Sequence, residues 1–266
     1  MPSTPIQEDG PVIPHDRIIA LVPGGIIAFM AGYAFIRFGE FGYPLISAVF
    51  IVILAIPSFW ALLNWVGAAR AAGVIALLGI LAIAVEAAAI LTGFPYGSFH
   101  YAEHIGVRIL GLVPWTVAFA YLPMLFGAIA LASHIVGTQP LRLIGGGALF
   151  VMLVDLVIDP AAVQAGLWVW KAPGSYYGVP LINFAGWAIS GSIYTAIFLI
   201  LTRKWLLFEE RLPINLAFSL HIILALWSGY LLKEMLFVPA LLGIGLMALI
   251  LACTHREDRA PRYQGV

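Results

Sequence analysis

The feature that most restricts this chain is a succession of apolar runs of about 20 residues, the length that crosses a bilayer core as a helix. They fall at roughly 17–38, 44–66, 72–92, 112–136, 142–159, 182–203, 214–232 and 236–253. Backbone inside hydrocarbon must satisfy its own N–H and C=O groups, which a helix does within one segment. The expected fold is therefore all-α: a polytopic transmembrane helix bundle of about eight helices, or seven if the short fifth run is re-entrant. Composition agrees, with 62% of residues hydrophobic and 10% charged, against about a quarter charged in an ordinary soluble domain. A net charge of zero argues against nucleic acid as a partner. Cys253 is the single cysteine, so no intrachain disulfide is expected.

Sidedness follows from the basic residues. With eight helices, one face carries Arg17, Arg70, Arg142, Arg203, Lys204, Arg211, Arg256, Arg259 and Arg262, and the other Arg37, Arg108, Lys171 and Lys233. The positive-inside rule then places both termini in the cytoplasm, and the long loops 93–111 and 160–181 on the outer side. The chain reads as a single transmembrane domain, 1–266, with flexible tails at 1–16 and 254–266. Its polar start lacks the basic flank and early apolar core of a cleaved signal peptide, so the first helix is expected to stay. Short connections such as 67–71 and 137–141 imply antiparallel neighbours.

Ionisable residues at membrane depth are costly and mark function unless a partner neutralises them. Glu86, in IAVEAAAIL, lies a few residues before the end of the third run. Asp155 and Asp159 in LVDLVIDP are four residues apart, one helical turn, so both carboxylates share a face. Pro160 is read as the end of that helix, which leaves Asp159 open to a plain interfacial reading; Asp155, one turn deeper, resists it. Two acids so placed repel in an apolar setting, so at least one should keep its proton near neutral pH. A buried protonated acid is what general-acid chemistry requires. The pair could also be half of a magnesium–diphosphate site of a prenyltransferase, but the sequence supplies no second Asp-rich motif and few nearby cations.

Other polar groups weigh less. His100, Glu103 and His104 in HYAEH match an H-x-x-E-H zinc string, yet they sit in a loop without a third ligand and read as interfacial. No metal site is expected. His134 reads as interfacial, and His221 either as a satisfied core histidine or as part of a site. Trp168, Trp170, Tyr176, Tyr177 and Trp187 cluster around PGSYYGVP. They fit an interfacial aromatic belt as well as a wall that stabilises a cation.

Two segments, GFPYGSFHYAEHIGVRILGLVPW (93–115) and DLVIDPAAVQAGLWVWKAPGSYYGVPLINFAGW (155–187), together resemble the integral-membrane carotenoid biosynthesis protein family, which includes the CruF-type carotenoid hydratases. The shared pattern is an FPYG turn, an Asp-x-x-x-Asp-Pro helix end, Gly-x-Trp-x-Trp and Tyr-Tyr-Gly-Val-Pro-x-x-Asn-Phe-x-Gly-Trp. Leu112 with Val113 departs from the simple Gly-Val-Pro expected before the fourth run. The resemblance implies a carotenoid hydratase, a hydro-lyase without a cofactor, that adds water to the terminal isopropylidene double bond of an acyclic carotenoid. Its partners would be the lipophilic carotenoid, water and the lipid bilayer.

That chemistry suits the residues. Asp155 or Asp159 would donate the proton, with Glu86 as second candidate acid. Tyr96, Trp168, Trp170, Tyr176, Tyr177 and Trp187 would contact the substrate and its cation, and Asn183 would hold water or the acid. A carotenoid end-group cyclase would use the same protonation step. A lipid or small-molecule transporter with a proton-relay carboxylate site is the non-catalytic alternative, although no internal repeat is evident. A retinal-binding photoreceptor would need a lysine within a span, whereas Lys233 falls at a helix end and Lys171 in a loop.

Overall fold

The computed structural model describes residues 16–34, 44–207 and 209–259. Eight helices among them are long and apolar enough to cross a membrane, and the protein is a polytopic integral membrane protein. In chain order they are α1 (Asp16–Ala34), α2 (Pro44–Val66), α3 (Ala68–Thr92), α4 (Val117–Val136), α5 (Pro140–Gln164), α6 (Leu181–Leu206), α7 (Phe218–Lys233) and α8 (Phe237–Arg259). A 3₁₀ turn, Ile214–Ala217, leads into α7 and completes its span. Sequential helices run up and down, so the eight spans leave the α1 start and the α8 end on one face of the bundle. The connections 93–116 and 165–180 lie on the opposite face, called the loop face below.

The most enclosed helices are α4 and α7. Leu122, Leu125, Phe126 and Ile129 of α4 have no exposed surface, and neither do Leu220 and Leu224 of α7. Around this centre α1 lies along α7, and α5 is held between α4 and α6. Lipid supplies no hydrophobic drive for helix association, so close packing of small residues must. Gly32 and Gly229 show this between α1 and α7. A Cβ on Gly32 would sit 1.9 Å from the Leu226 carbonyl oxygen, and one on Gly229 2.1 Å from that of Phe29.

The fifth helix corrects the reading made from its proline. α5 is a full span of 25 residues, which removes the re-entrant alternative, and it passes through Pro160 to Gln164. Proline has no N–H for the carbonyl four residues back, here Leu156. The Tyr176 hydroxyl donates to that oxygen at 3.1 Å, so the orphaned acceptor is satisfied and the helix continues. Asp159 is therefore not at a helix end: it is buried, more than a turn inside α5.

The segments read as tails divide. Residues 1–15 and 260–266 lie outside the described residues. Residues 254–259 are not tail-like, because α8 runs through Arg259 with Thr254 buried. Arg17 Nη1 meets Glu257 at 2.8 Å and its guanidinium also pairs with Asp258, tying the start of α1 to the end of α8.

Short strands organise the loop face. β1 (Phe99–Tyr101) pairs antiparallel with β4 (Trp168–Trp170), in the register Phe99 to Trp170, His100 to Val169 and Tyr101 to Trp168. A second pair joins β2 (Arg108–Ile109) to β3 (Val113–Pro114). The two loops that carry the sequence motifs thus form one roof.

Candidate active site under the loop roof

Strand alternation decides what the roof presents below. Successive side chains point to opposite faces: Phe99, Tyr101 and Trp170 are buried, Trp168 is half-buried, and His100 and Val169 are exposed. The inward rings pack edge to face or tilted, with Phe99 and Trp170 centroids 5.0 Å apart and Tyr101 and Trp168 5.9 Å apart. The FPYG turn seats on α6 because position 186 is glycine. A Cβ there would lie 2.6 Å from the Pro95 carbonyl oxygen. This close approach stacks Tyr96 on Trp187, ring centroids 4.6 Å apart.

Beneath the roof is a cavity of about 500 Å³, within the usual range for small-ligand pockets. Glu86 of α3, Asp155 and Asp159 of α5, and Asn183 of α6 line it together. Helical spacing puts both aspartates on one face of α5, as the sequence predicts. Asn183 is the polar bridge: its Nδ2 donates to Asp155 Oδ2 at 2.8 Å and also to Asp159 Oδ2. The two carboxyl groups are within hydrogen-bonding reach of each other. Both aspartates and Asn183 are almost completely buried. Glu86 approaches from the other side and accepts a hydrogen bond from the Tyr101 hydroxyl. Burial, and then the charge of Glu86, hold the Tyr101 phenol well above its ordinary pKa. Tyr101 therefore stays protonated and acts as the donor in that bond.

Of the aromatic residues singled out in the sequence, Tyr96, Trp168, Trp170 and Trp187 line the cavity with the acids. Tyr176 and Tyr177 do not. Tyr176 serves the α5 backbone through Leu156 and packs on Phe184 at 5.5 Å; burial pushes its phenol up to about 12. Tyr177 is 38% exposed with φ 50°. With Gly178 at φ 85° and a Val179 N–H to Tyr176 carbonyl bond of 2.9 Å, it forms a two-residue turn in which both central residues have positive φ.

Among the lining residues that escaped the sequence reading are two tyrosines, Tyr101 and Tyr121. Tyr121, on α4, packs against Trp187 at 5.1 Å and Tyr194 at 5.2 Å. Its hydroxyl is buried and has no hydrogen-bond partner among the described residues, an arrangement that costs about 1–3 kcal/mol unless a ligand or water fills it. A tyrosine inside an apolar helical run, four residues past the Trp-Thr-Val entry to α4, is the available sequence signal.

The histidines lie elsewhere. His100 and Glu103 are exposed on the roof, and the His104 side chain lies outside the described residues. No group of three or more His, Cys, Asp or Glu with metal-holding geometry occurs among the described residues. His221 is buried against Gly25 and hydrogen-bonds the Leu21 backbone. His134 Nε2 lies 3.1 Å from the Leu212 carbonyl oxygen and 3.4 Å from Glu257. Neither lines the cavity.

A buried carboxyl pair with an amide bridge, a third carboxyl held by a phenol, and a wall of aromatic faces can protonate an apolar ligand and stabilise the resulting cation. Comparison with known proteins bears on which ligand. The family model described as carotenoid biosynthesis protein matches residues 42–250, most of the chain. A bisanhydrobacterioruberin hydratase from Haloarcula japonica is 37% identical over 133 residues, covering 48% of this chain and 45% of that protein. The matched stretch thus spans just under half the length of that relative. No solved structure matches the chain significantly.

Proposed function

Because the chain belongs to the carotenoid biosynthesis protein family, we propose that it is a carotenoid hydratase that adds water to the terminal isopropylidene double bond of an acyclic carotenoid. The observation that carries this reading is the Asp155–Asn183–Asp159 cluster inside an aromatic-walled apolar cavity. The relative's name as a hydratase supports the same reaction class.

The reaction balances without any oxidant or reductant. A carboxylic acid of the aspartate pair gives its proton to the less substituted alkene carbon, forming a new C–H bond and leaving a tertiary carbocation. Water then adds to that carbon, and its surplus proton returns to a carboxylate, so the acid is regenerated. A positioned acid of this kind contributes about 10²–10⁴-fold. Asn183 fixes both aspartates and favours the carboxylate left after transfer. Trp168, Trp170, Trp187 and Tyr96 turn aromatic faces to the cation, an attraction worth about 2 kcal/mol when desolvated. Glu86, oriented by Tyr101, is the second candidate acid or the base that takes the surplus proton and passes it back to the aspartate carboxylate. The unpartnered Tyr121 hydroxyl holds the attacking water. The reading needs no cofactor.

The basic residues favour a cytoplasmic position for both termini, which sets the acids in the outer half of the membrane, within reach of interfacial water.

The test is expression in a lycopene-producing bacterial host, followed by chromatography and mass analysis of the pigments. Product heavier by one water is the expected outcome. A product of unchanged mass with cyclised absorbance would make the protein an end-group cyclase. Untouched lycopene, together with lycopene-driven proton flux in proteoliposomes, would replace catalysis with transport. In heavy water, hydration by this route leaves one non-exchangeable deuterium beside the new alcohol carbon.

A further inference from the structure

Beyond the acids, the cavity has a second end that neither the chemistry nor the comparisons assign. Its lining continues from the carboxyl cluster to Ala31 of α1, to Ile46, Ser47 and Phe50 in the first turns of α2, and to Ile223 and Leu226 of α7. Ile223 and Leu226 are buried, whereas Ile46 is 65% and Phe50 44% exposed on the bundle's outer surface. Ser47 is exposed as well. The cavity therefore reaches the side of the protein that faces lipid. The helix arrangement explains the opening. α1 is fastened along α7 through Gly32 and Gly229, and α2 packs on α3, α4 and α7, while α1 and α2 do not pack closely against each other. Among the described residues a lateral gap remains between them, floored by α7 and rimmed by the small side chains of Ala31 and Ser47.

From this geometry we propose that the α1–α2 gap is a lateral portal through which a polyene enters end-first from the bilayer and in which its chain stays threaded while one terminus meets the acids. The proposal rests on the hydratase reading for the identity of the terminus and adds the route and the binding mode. A cavity of about 500 Å³ takes a ligand of ordinary drug size, so it holds one end-group and the adjoining carbons but not a polyene long enough to cross a hydrocarbon core of about 30 Å. The remainder must lie outside, and an apolar remainder lies in lipid. Among the described residues the cavity has one carboxyl cluster, Glu86 with Asp155 and Asp159, so the two ends of a symmetrical substrate are hydrated in separate visits.

The protein's own cysteine makes the portal measurable. Cys253 is buried, with 2% of its surface exposed, so a Ser47→Cys variant carries one accessible thiol, at the rim. The experiment follows labelling of that thiol by a membrane-permeant maleimide in carotenoid-free membranes, with and without added lycopene, and hydration of the lycopene in the same samples. At lycopene about ten times its half-saturating concentration, mass action slows labelling about tenfold. The singly hydrated pigment is expected to accumulate before the doubly hydrated one. Hydration with unchanged labelling would overturn the portal and leave the hydratase reading intact, lipid acyl chains being then the occupants of the gap. Protection without hydration would uphold the portal and overturn the hydratase reading. Neither protection nor hydration would overturn both. Doubly hydrated pigment formed without a released single-alcohol intermediate would overturn threading from one end.

Discussion

Replacing Asp155 and Asp159 by asparagine, singly and together, tests the centre of the proposed chemistry. Each change keeps the side-chain shape and leaves a carbonyl oxygen that can accept the Asn183 Nδ2 hydrogen bond, seen at 2.8 Å to Asp155. The fold is therefore expected to survive, with a stability change of about 1 kcal/mol or less. What disappears is the acidic proton. A positioned general acid supplies about 10²–10⁴-fold, or about 3–5 kcal/mol at 1.36 kcal/mol per decade. Whichever aspartate is the donor should lose that much. Its twin shares the Asn183 bridge and lies within hydrogen-bonding reach, so it should lose less, about 10-fold, through poorer orientation of the donor.

The two residues form one hydrogen-bonded unit, so their effects should not multiply. The double variant is expected to resemble the worse single variant, as residues acting together do. The assay is the initial rate of water addition to lycopene in membranes matched for protein amount, read by chromatography and mass. Full activity in both single variants would refute the acid role of the pair. Losses that multiply in the double variant would refute the shared unit and point to two separate steps.

Three further predictions come from residues around the pair. Tyr121→Phe removes a buried hydroxyl with no partner among the described residues, so thermal stability should hold or rise, since an unsatisfied buried group costs about 1–3 kcal/mol. Hydration should fall about 10-fold, and some of the cation should instead lose a methyl proton, giving a double-bond isomer of unchanged mass. Wild-type rate and product would remove Tyr121 from the mechanism. Tyr176→Phe leaves the Leu156 carbonyl without its donor and should destabilise the protein by about 1–3 kcal/mol, read as a lowered Tm in detergent. Gly186→Ala drives a Cβ to 2.6 Å from the Pro95 carbonyl oxygen. This overpacking costs about 1–3 kcal/mol and should shift the Tyr96–Trp187 stack, visible as altered tryptophan emission together with slower hydration.

The spans were legible because hydrocarbon permits little besides a satisfied helix, and an apolar run announces one directly. The paired aspartates were legible for a similar reason: a four-residue spacing fixes a common face before any packing is known. What the sequence could not show was contact across long separations. The motif before Pro160 reads as a helix end because the partner that rescues Leu156 is Tyr176, twenty residues on and in a loop. The β1–β4 roof consists of strands of three residues, too short for periodicity to reveal, although Phe99, His100 and Tyr101 do alternate. Tyr101 lies inside the HYAEH string, whose zinc-like pattern involves only the histidines and the glutamate, while the tyrosine between them is the residue that reaches Glu86.

These long-range contacts divide the labour of the site between two kinds of structure. The acids sit on α3 and α5, both packed on α4, so the proposed proton donors are held by helices against the cavity, and mispositioning a reacting group is costly. The aromatic wall comes largely from the loop roof, where a pair of short strands can present rings at close spacing to an apolar end-group. The proposed opening is a third element, the gap between α1 and α2, at a different part of the cavity lining from the acids. In the proposed reaction the chemistry depends on Asp155, Asp159 and Asn183, and in the proposed portal admission of the polyene depends on Ala31 and Ser47. Rim changes should therefore alter how readily a polyene enters while sparing the chemical step, and acid changes should do the reverse. A Ser47→Trp variant is accordingly expected to raise the half-saturating lycopene concentration with little change in maximal rate, because a loss confined to binding leaves kcat in place. An equal fall in maximal rate at both places would mean that the gap and the acids form one inseparable site.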